Sequence, residues 1–391
     1  MLTRLRSDAI VYLSNEKICS KDIQKVRKKE RKLIFFALLI RPLDKLKKGK
    51  RMKVGLIGCG GMGTTHNLSL KALSSTMDVE VTAIADCRQE FLEKAAEQWP
   101  NAKLYKTGME LLENEKLDTV HICLPSYLHT DHAVAAMDKG INVFVEKPVC
   151  LTEEEAERLL EAEKRNHVKI MVGQVVRSFP EYKFLKEAYE SGKYGKFKSI
   201  IMRRISGDTT WGFEDWFHEE KKSGSVVLDL HVHDLDFLRY MLGEPKSFDV
   251  KAASFESGMV NHILTSYEFD EGFAVAEGIW DESIALPFEA SFHACFEKAT
   301  ILFNSRAEQP LVVYKKEGEI EYPELVREYN ITDNSAGINV SNLGPYYSEI
   351  KYFVECLRDG KEIEVAPLEE GIKSVRLARK EWDAAKAYLK K

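Results

Sequence analysis

Three side chains have the types that proton transfer to or from a substrate oxygen requires. Lys147 lies in the tripeptide Glu146-Lys147-Pro148, and Asp229 and His233 stand four residues apart in a predicted helix. Residues at that spacing share a helical face, so the carboxylate could orient the imidazole and support its charged form. The Lys147 ammonium could polarise a substrate hydroxyl or carbonyl. The alternatives are a surface lysine in a loop and a histidine satisfied by helix packing.

A metal site is the rival use of these groups. His231 is two positions from both Asp229 and His233, so it points elsewhere on the helix. Two histidines at that spacing on a helix cannot converge on one ion, and no cysteine accompanies them. The sequence therefore predicts no metal here.

A glycine-rich stretch after the first apolar strand predicts a dinucleotide site, although the pattern alone also fits an ordinary strand–turn–helix. The strand at residues 54–57 runs into G-x-G-x-x-G, and a helical stretch follows. The first glycine allows the tight turn, the second lets the backbone approach a pyrophosphate, and the third allows close packing of helix and strand. N–H groups at the helix N-terminus would face the phosphates. The residues concerned are Gly58, Gly60, Gly61, Met62 and Gly63.

The end of the second predicted strand indicates which dinucleotide is bound. The strand at residues 79–85 ends in Asp86, whose carboxylate suits the 2′- and 3′-hydroxyls of a ribose and would repel a 2′-phosphate. Arg88, two residues on, could neutralise such a phosphate. We therefore expect NAD, with NADP as the alternative.

Two further stretches are predicted at the same edge of the sheet, where ligands of parallel sheets bind. The loop that begins at Pro125 would lie against the nicotinamide end of the cofactor, although His129 could equally cap the following helix. Pro148 removes a donor and fixes the chain. It would therefore hold Glu146 and Lys147 at the cleft on a rigid stem.

The order of the elements predicts two domains. Residues 52–172 alternate strand and helix, which is typical of a doubly wound parallel sheet. Residues 206–222 form a Trp-rich loop, and consecutive strands with short turns follow from about 247 to 314, which favours an antiparallel or mixed sheet. We expect a dinucleotide-binding domain over 52–172 and a substrate-binding domain over 173–391.

Charge and hydropathy exclude two classes of partner. Residues 52–391 contain 41 Lys and Arg against 57 Asp and Glu, and an acidic body argues against a nucleic-acid groove. The apolar run at residues 33–40 has eight residues, which is far too short to span a bilayer. The seven cysteines are scattered without a C-x-x-C pair, so a disulfide framework is not indicated and a reducing cytoplasm is.

The first 51 residues differ from the rest, with 16 Lys and Arg against 5 Asp and Glu. Three interpretations remain: a basic arm that binds a membrane surface or nucleic acid, an extra helix on the body, or upstream sequence translated from a misassigned start. Met52 directly precedes the first strand, which favours the third. We expect residues 1–51 not to be part of the enzyme.

Taken together, these motifs resemble the Gfo/Idh/MocA oxidoreductases, which include glucose–fructose oxidoreductase and inositol dehydrogenases. The resemblance covers about residues 52–390. It implies a Rossmann domain followed by an α/β domain with a large, mostly antiparallel sheet, whose open face would form a homodimer or homotetramer interface. The motifs that carry it are Gly58 to Gly63 with Asp86, Leu124-Pro125 with His129, Glu146-Lys147-Pro148, Gly173-Gln174 with Arg177, and Asp229-x-x-x-His233-Asp-x-Asp236.

The resemblance also implies residue roles. His233 would be the base, Asp229 its partner and Lys147 a contact to the reacting oxygen of a sugar, inositol or related polyol. Arg177 and Trp216 would grip or stack on the substrate. A small residue often stands in the family at the position of His231, whose role stays open.

Two other functions stay open for the same scaffold. One is a glycosidase that holds NAD and oxidises its substrate transiently. The other is a sugar sensor that binds NAD without turnover, although a pure sensor needs no base. The substrate, the tightness of cofactor binding and the size of the oligomer are not encoded in a readable motif.

Overall fold

The computed structural model describes residues 51–255, 258–328 and 343–391. Within them, a six-stranded parallel sheet in the order β3-β2-β1-β4-β5-β6 forms the first part of the body. Its strands are short and strongly apolar, as expected for a parallel sheet covered on both faces. The strands are Met52–Ile57 (β1), Val79–Ala85 (β2), Lys103–Tyr105 (β3), Thr119–Ile122 (β4), Asn142–Glu146 (β5) and Ile170–Gly173 (β6).

Helices alternate with these strands, and two of them begin at side-chain caps. Thr107 accepts a hydrogen bond from the Glu110 N–H at the start of α3, and Thr152 and Glu155 form a capping box at the start of α5. These caps satisfy N–H groups that have no partner inside the helix. The helices are Gly61–Leu73 (α1), Gln89–Ala96 (α2), Gly108–Asn114 (α3), His129–Met137 (α4) and Glu153–Asn166 (α5).

An eight-stranded sheet in the order β14-β13-β12-β11-β7-β10-β9-β8 follows within the described residues. Strands β7 and β10 pair in parallel and the other neighbours pair antiparallel, so the sheet is mixed. Burial alternates along its central strands, which leaves one face packed and the other partly exposed. The strands are Phe197–Ser206 (β7), Ser247–Ala253 (β8), His262–Glu268 (β9), Phe273–Trp280 (β10), Glu289–Phe296 (β11), Ala299–Asn304 (β12), Leu311–Lys315 (β13) and Ile320–Glu321 (β14).

Some of the remaining helices pack on this sheet, and one returns to the first sheet. Phe353 and Ile350 of α9 belong to the same apolar core as Val54 and Leu56 of β1, so the C-terminal part helps to cover the parallel sheet. The helices are Pro180–Glu190 (α6), Glu220–Ser223 (α7), Val232–Leu242 (α8), Gly344–Asp359 (α9) and Leu368–Leu389 (α10).

The predicted fold class is confirmed, with one local difference. The predicted helix that carries Asp229 and His233 begins with a π-helical turn, Val227–His231, before α8. The division at Gly173 stays a prediction. Residues 1–50, 256–257 and 329–342 lie outside the described residues. No helix of the described part combines the length and the apolar character needed to cross a membrane.

Candidate active site

In the glycine turn between β1 and α1, Gly58 and Gly63 have no room for a side chain. Gly58 has φ +89°, and a Cβ there would lie 2.4 Å from the carbonyl oxygen of Cys123. A Cβ on Gly63 would lie 1.9 Å from the carbonyl oxygen of Gly58. No side chain caps the start of α1, where Gly60 is the N-cap. The N–H groups of its first turn are therefore available to an anion.

Asp86 lies beside this turn, where the sequence predicted it. Its Oδ2 accepts a hydrogen bond from the Cys59 N–H at 2.7 Å, and Arg88 donates to both oxygens at 3.0 Å. Burial by itself would raise the pKa of the carboxyl, but the bonds from Arg88 and Cys59 hold the pKa of Asp86 below its usual value. The Arg88 guanidinium stacks on the rings of Phe91 and Phe213. A charged carboxylate with an arginine folded over it therefore marks the end of β2.

Lys147 and Asp229 meet, although 82 residues separate them. Lys147 follows β5, and the Lys147–Pro148 peptide bond is cis. Its Nζ donates to Asp229 Oδ1 at 2.8 Å and to the Asp229 carbonyl oxygen at 2.5 Å. The side chains are only 14% and 17% exposed, so the pair is partly shielded from water. This contact joins the carboxyl edge of the parallel sheet to the π-helical turn.

His233 lies next to this pair at the start of α8. The residue is partly exposed, but its Nδ1 is buried and has no hydrogen-bond partner among the described residues. Removal from water, and then the positive charges of Lys147 and Arg204, hold the pKa of His233 well below its ordinary value. The imidazole is therefore neutral at neutral pH, with a lone pair that can accept a proton.

The contact predicted between Asp229 and His233 is replaced by another. The prediction assumed an α-helix, in which residues four apart lie on one face. No hydrogen bond among the described residues joins Asp229 to His233, whose Nδ1 has no partner. Asp229 binds Lys147 instead. His231 does point away from the cleft, as predicted, and is buried against Glu381 at 2.7 Å.

Two residues predicted to bind the cofactor, Glu146 and His129, contact other parts of the protein. Glu146 is 5% exposed, and its Oε1 lies 2.8 Å from His66 Nε2. The ring nitrogens of His129 lie 2.7 Å from the carbonyl oxygens of Pro148 and Leu124. His129 therefore links the loop after β4, where Pro125 precedes a short 3₁₀ turn, to the turn that carries Lys147.

Two residues predicted to bind substrate are buried in other contacts. The Arg177 guanidinium, 1% exposed, donates to both oxygens of Asp236 at 2.7 and 2.8 Å. Trp216 is 9% exposed and stacks on Phe217, whereas Trp211 in the same loop is 52% exposed. The Arg177 guanidinium is therefore taken up by contacts within the protein, and the ring of Trp216 is largely covered.

Arg204 was not predicted from the sequence, although its positive charge lowers the pKa of His233. It lies on the packed face of β7, where its guanidinium donates to Asp234 at 2.7 Å and to the Tyr182 hydroxyl at 3.1 Å. A signal was present, because Arg204 stands two residues after Met202 and four after Ile200, both at inward positions of the strand. A charged residue at such a position needs a buried partner.

Two family models match the chain over most of this body. Residues 52–174 match the model described as "Oxidoreductase family, NAD-binding Rossmann fold", and residues 182–302 match the GFO/IDH/MocA C-terminal domain. The chain therefore belongs to the Gfo/Idh/MocA oxidoreductases, as its motifs predicted, and its first part is the NAD-binding Rossmann domain of that family.

Curated relatives include dehydrogenases of inositols and glucosides. The myo-inositol 2-dehydrogenase of Thermotoga maritima is 33% identical over 193 residues, which is 49% of this chain and 55% of that protein. The scyllo-inositol 2-dehydrogenase (NAD(+)) of Bacillus subtilis is 25% identical over 80% of this chain and 87% of its own length. The D-glucoside 3-dehydrogenase of Escherichia coli is 27% identical, and the match covers 58% of it. The chain thus spans little more than half of two of these three relatives.

Solved structures share the whole fold. Levoglucosan dehydrogenase in complex with NADH and L-sorbose superposes with a TM-score of 0.74 at 18% identity, covering 87% of this chain and 98% of that one. A dehydrogenase described as probable from Thermotoga maritima gives 0.70 at 22% identity, covering 86% and 97%. At these identities the likeness establishes the fold alone.

Proposed function

We propose that the protein catalyses the reversible, NAD-dependent oxidation of a secondary alcohol on a sugar, an inositol or a related polyol. The observation that carries this proposal is the meeting of Lys147, from the nucleotide-binding sheet, with Asp229 and the neutral His233, from the second part of the chain. An ammonium and a neutral imidazole in one cleft are the two groups that removal of a hydroxyl proton requires.

The glycine turn fits a dinucleotide. Gly58 and Gly63 have no room for a side chain, the start of α1 has no side-chain cap, and a carboxylate stands at the end of β2. We assign the diphosphate to the backbone of residues 58–63 and the adenosine ribose to Asp86. NAD supplies the hydride acceptor when it is bound. Met62, Pro125, His129 and Glu146 would then shape or support the cofactor site.

The residues of this chain provide the proton chemistry. His233 accepts the hydroxyl proton as the alcohol carbon is oxidised, because its lowered pKa leaves the ring unprotonated. Lys147 stabilises the charge that develops on the oxygen, an effect worth about 3 to 4 kcal/mol for one well-placed donor. Asp229 holds the Lys147 side chain in that position. For substrate reduction the same groups act in reverse.

The balance between NAD and NADP rests on two neighbouring residues. Asp86 is charged and favours ribose hydroxyls, whereas Arg88 already binds both oxygens of that carboxylate. For Asp86 to accept the hydroxyls of NAD, the guanidinium has to share the carboxylate or move towards Phe91 and Phe213. We propose NAD as the preferred cofactor and NADP as a weaker one.

The names of the relatives support the class of substrate. Two act on inositols and one on a glucoside, and all are named as dehydrogenases. Cyclic polyols and sugars share secondary hydroxyl groups on a six-membered ring. None of these names favours the glycosidase or the sensor.

A titration followed by a substrate screen tests the proposal. NAD binding is measured by protein fluorescence, and inositols and aldoses are then screened with NAD at 340 nm, with 1,5-lactones tested in reverse with NADH. We expect NAD binding and an absorbance change with at least one ring polyol. NAD binding without turnover on any of them would contradict the proposal, and sugar release from an aryl glycoside without net NADH would indicate the glycosidase.

We also propose that the partly exposed face of the second sheet forms a homodimer or homotetramer interface. Ile201 on β7 and Phe273 on β10 are 50% and 51% exposed, and Val275 lies opposite Ile201 in the parallel pair. Exposed apolar side chains on the central strands of a sheet favour association. Light scattering of the wild type and of Ile201→Asp tests this, with a smaller mass expected for the variant. A cytoplasmic location stays a prediction.

A further inference from the structure

His231 and Glu381 form a fully buried pair that the mechanism above does not use. His231 is the last residue of the π-helical turn, between Asp229 and His233. Its Nε2 lies 2.7 Å from Oε2 of Glu381 on α10, and both side chains are 0% exposed. A pair of ionisable groups buried in this way is costly unless it is well bonded.

Oε2 of Glu381 accepts hydrogen bonds from three donors, which lie on two different elements. Besides His231, it accepts the Thr265 hydroxyl at 3.0 Å and the Tyr267 hydroxyl at 3.1 Å, both from β9. Burial, and then the neighbouring Glu381, raises the pKa of the Tyr267 phenol, which therefore stays a donor. Nε2 of His231 must carry a proton to donate to the same oxygen. The pair thus ties the π-helical turn to α10 and β9 at once.

The backbone of the sheet holds the turn from the other side. A Cβ on Gly278 of β10 would lie 3.0 Å from the His231 Cβ and 3.3 Å from its Cα. Because Gly278 has no side chain, the strand packs directly against the turn. The turn is therefore held between a glycine of β10 and a carboxyl group of α10.

A π-helical turn is less regular than the α-helix around it and persists only where its surroundings hold it. A π-helix has more residues per turn than an α-helix. If the turn relaxed to a regular α-helix, the chain after it would rotate relative to the chain before it, and His233 would shift relative to Lys147.

We propose that His231 and Glu381 are positioning residues, which fix the π-helical turn so that Asp229 binds Lys147 while His233 faces the same cleft. The proposal rests on the function proposed above, because it assigns the pair to the geometry of that site. It expects loss of the pair to lower turnover far more than cofactor binding, since the glycine turn is built from other elements.

The test compares His231→Leu, Glu381→Leu and Glu381→Gln with Tyr267→Phe as the control. Glutamine keeps an acceptor oxygen for His231, and Tyr267→Phe removes a different donor from the same carboxyl group. For each variant, kcat, KM, the Kd of NAD and the Tm are measured. We expect kcat to fall about 10- to 100-fold in the two leucine variants, the usual cost of a misplacement of about 1 Å.

The other variants separate positioning from stability. Glu381→Gln and Tyr267→Phe should stay within about threefold of the wild-type kcat, and the Kd of NAD should stay within about twofold throughout. The double variant His231→Leu with Glu381→Leu should lose no more kcat than either single one. Unchanged kcat in the folded His231→Leu protein, or an equal loss of kcat in Tyr267→Phe, would overturn the proposal.

A second readout does not depend on turnover. The NMR signal of the His233 ring, assigned with His233→Asn, is titrated in wild type and in Glu381→Leu, or in Glu381→Gln if the leucine variant does not fold. We expect the pKa of His233 to rise when the pair is weakened, and an unchanged pKa would overturn the proposal. If the wild type binds NAD but oxidises no polyol, the proposed function fails while this titration still decides the positioning role.

Discussion

The two turns that build the candidate site are held in different ways. The glycine turn at residues 58–63 is fixed by its own backbone, with a carbonyl only 1.9 Å from where a Cβ on Gly63 would stand. The π-helical turn Val227–His231 is fixed by side chains from distant segments, including Glu381, 150 residues away from His231. The first turn depends on two glycines that leave no room for a Cβ, whereas the second depends on side-chain contacts.

Because of this difference, we expect substitutions at the two turns to separate cofactor binding from proton transfer. Changes around the π-helical turn should disturb proton transfer and leave the cofactor in place, because its contacts do not reach the glycine turn's backbone. Changes at the glycine turn or at Asp86 should act on the cofactor first. The predictions below test that separation, from the largest expected effect to the smallest.

Replacing the base should have the largest effect. His233→Ala removes the neutral imidazole, so kcat should fall by about 10²- to 10⁴-fold, the scale of acid–base catalysis. The Kd of NAD should stay unchanged by fluorescence titration. His167→Asn is the control, because His167 is exposed with φ 53°, a conformation that asparagine accepts. Full turnover in His233→Ala would remove this residue from the mechanism.

Breaking a buried pair in the second part of the chain should cost stability. Arg177→Met leaves the Asp236 carboxylate buried, with 1% of its side chain exposed. The free energy of unfolding in urea should fall by about 3 to 5 kcal/mol. Arg165→Met breaks the exposed pair with Asp138 and should cost less than about 1 kcal/mol. A stable Arg177→Met protein with a raised KM would restore the substrate-binding role predicted from the sequence.

The contact between the two parts of the chain should matter mainly for turnover. Lys147→Met should lower kcat by about 10²- to 10³-fold, the effect of losing one donor to a developing oxyanion. Asp229→Asn keeps an acceptor for Lys147 but loses its charge, and we expect about a tenfold loss from the weaker hydrogen bond. Stopped-flow measurement of NADH formation distinguishes the chemical step from product release. Equal kcat in the wild type and Lys147→Met would contradict the assignment.

The smallest effect is expected for the affinity of the cofactor when Asp86, which we assign to the adenosine ribose, is replaced. Asp86→Ala should weaken NAD about tenfold, through the loss of one pair of hydrogen bonds, and should relax discrimination against NADP. Arg88→Ala, the matched variant, should weaken NADP more than NAD. Titration of each variant with both cofactors measures this. A wild type that already prefers NADP would contradict the role of Asp86.

The features that could be predicted from the sequence are those that depend on residues close together in the chain. The alternation of strands and helices, the glycine turn and the acid at the end of β2 are all local patterns. Each depends on residues a few positions apart, or about 25 for Asp86, within one supersecondary unit. The fold class was therefore predictable, including a mixed second sheet.

Long-range pairing of side chains was not predictable. Nothing near Arg177 indicates that Asp236 would take its charge, and nothing near Asp229 indicates Lys147 rather than His233 as its partner. The π-helical turn was missed because its residues have an ordinary helical pattern, and the contacts that stabilise it come from β9, β10 and α10. The partners of site residues are set by tertiary packing, which one segment does not encode.

The central claim is that a lysine of the nucleotide-binding sheet and a histidine of the second part act on one substrate oxygen. Titration of the His233 ring by NMR in the wild type and in Lys147→Met tests it most directly. The wild-type pKa should lie below the usual value of about 6.5, so that kcat/KM falls only as pH drops through that lower pKa. Removal of the positive charge should raise the pKa of His233. An identical titration in both proteins would contradict the account.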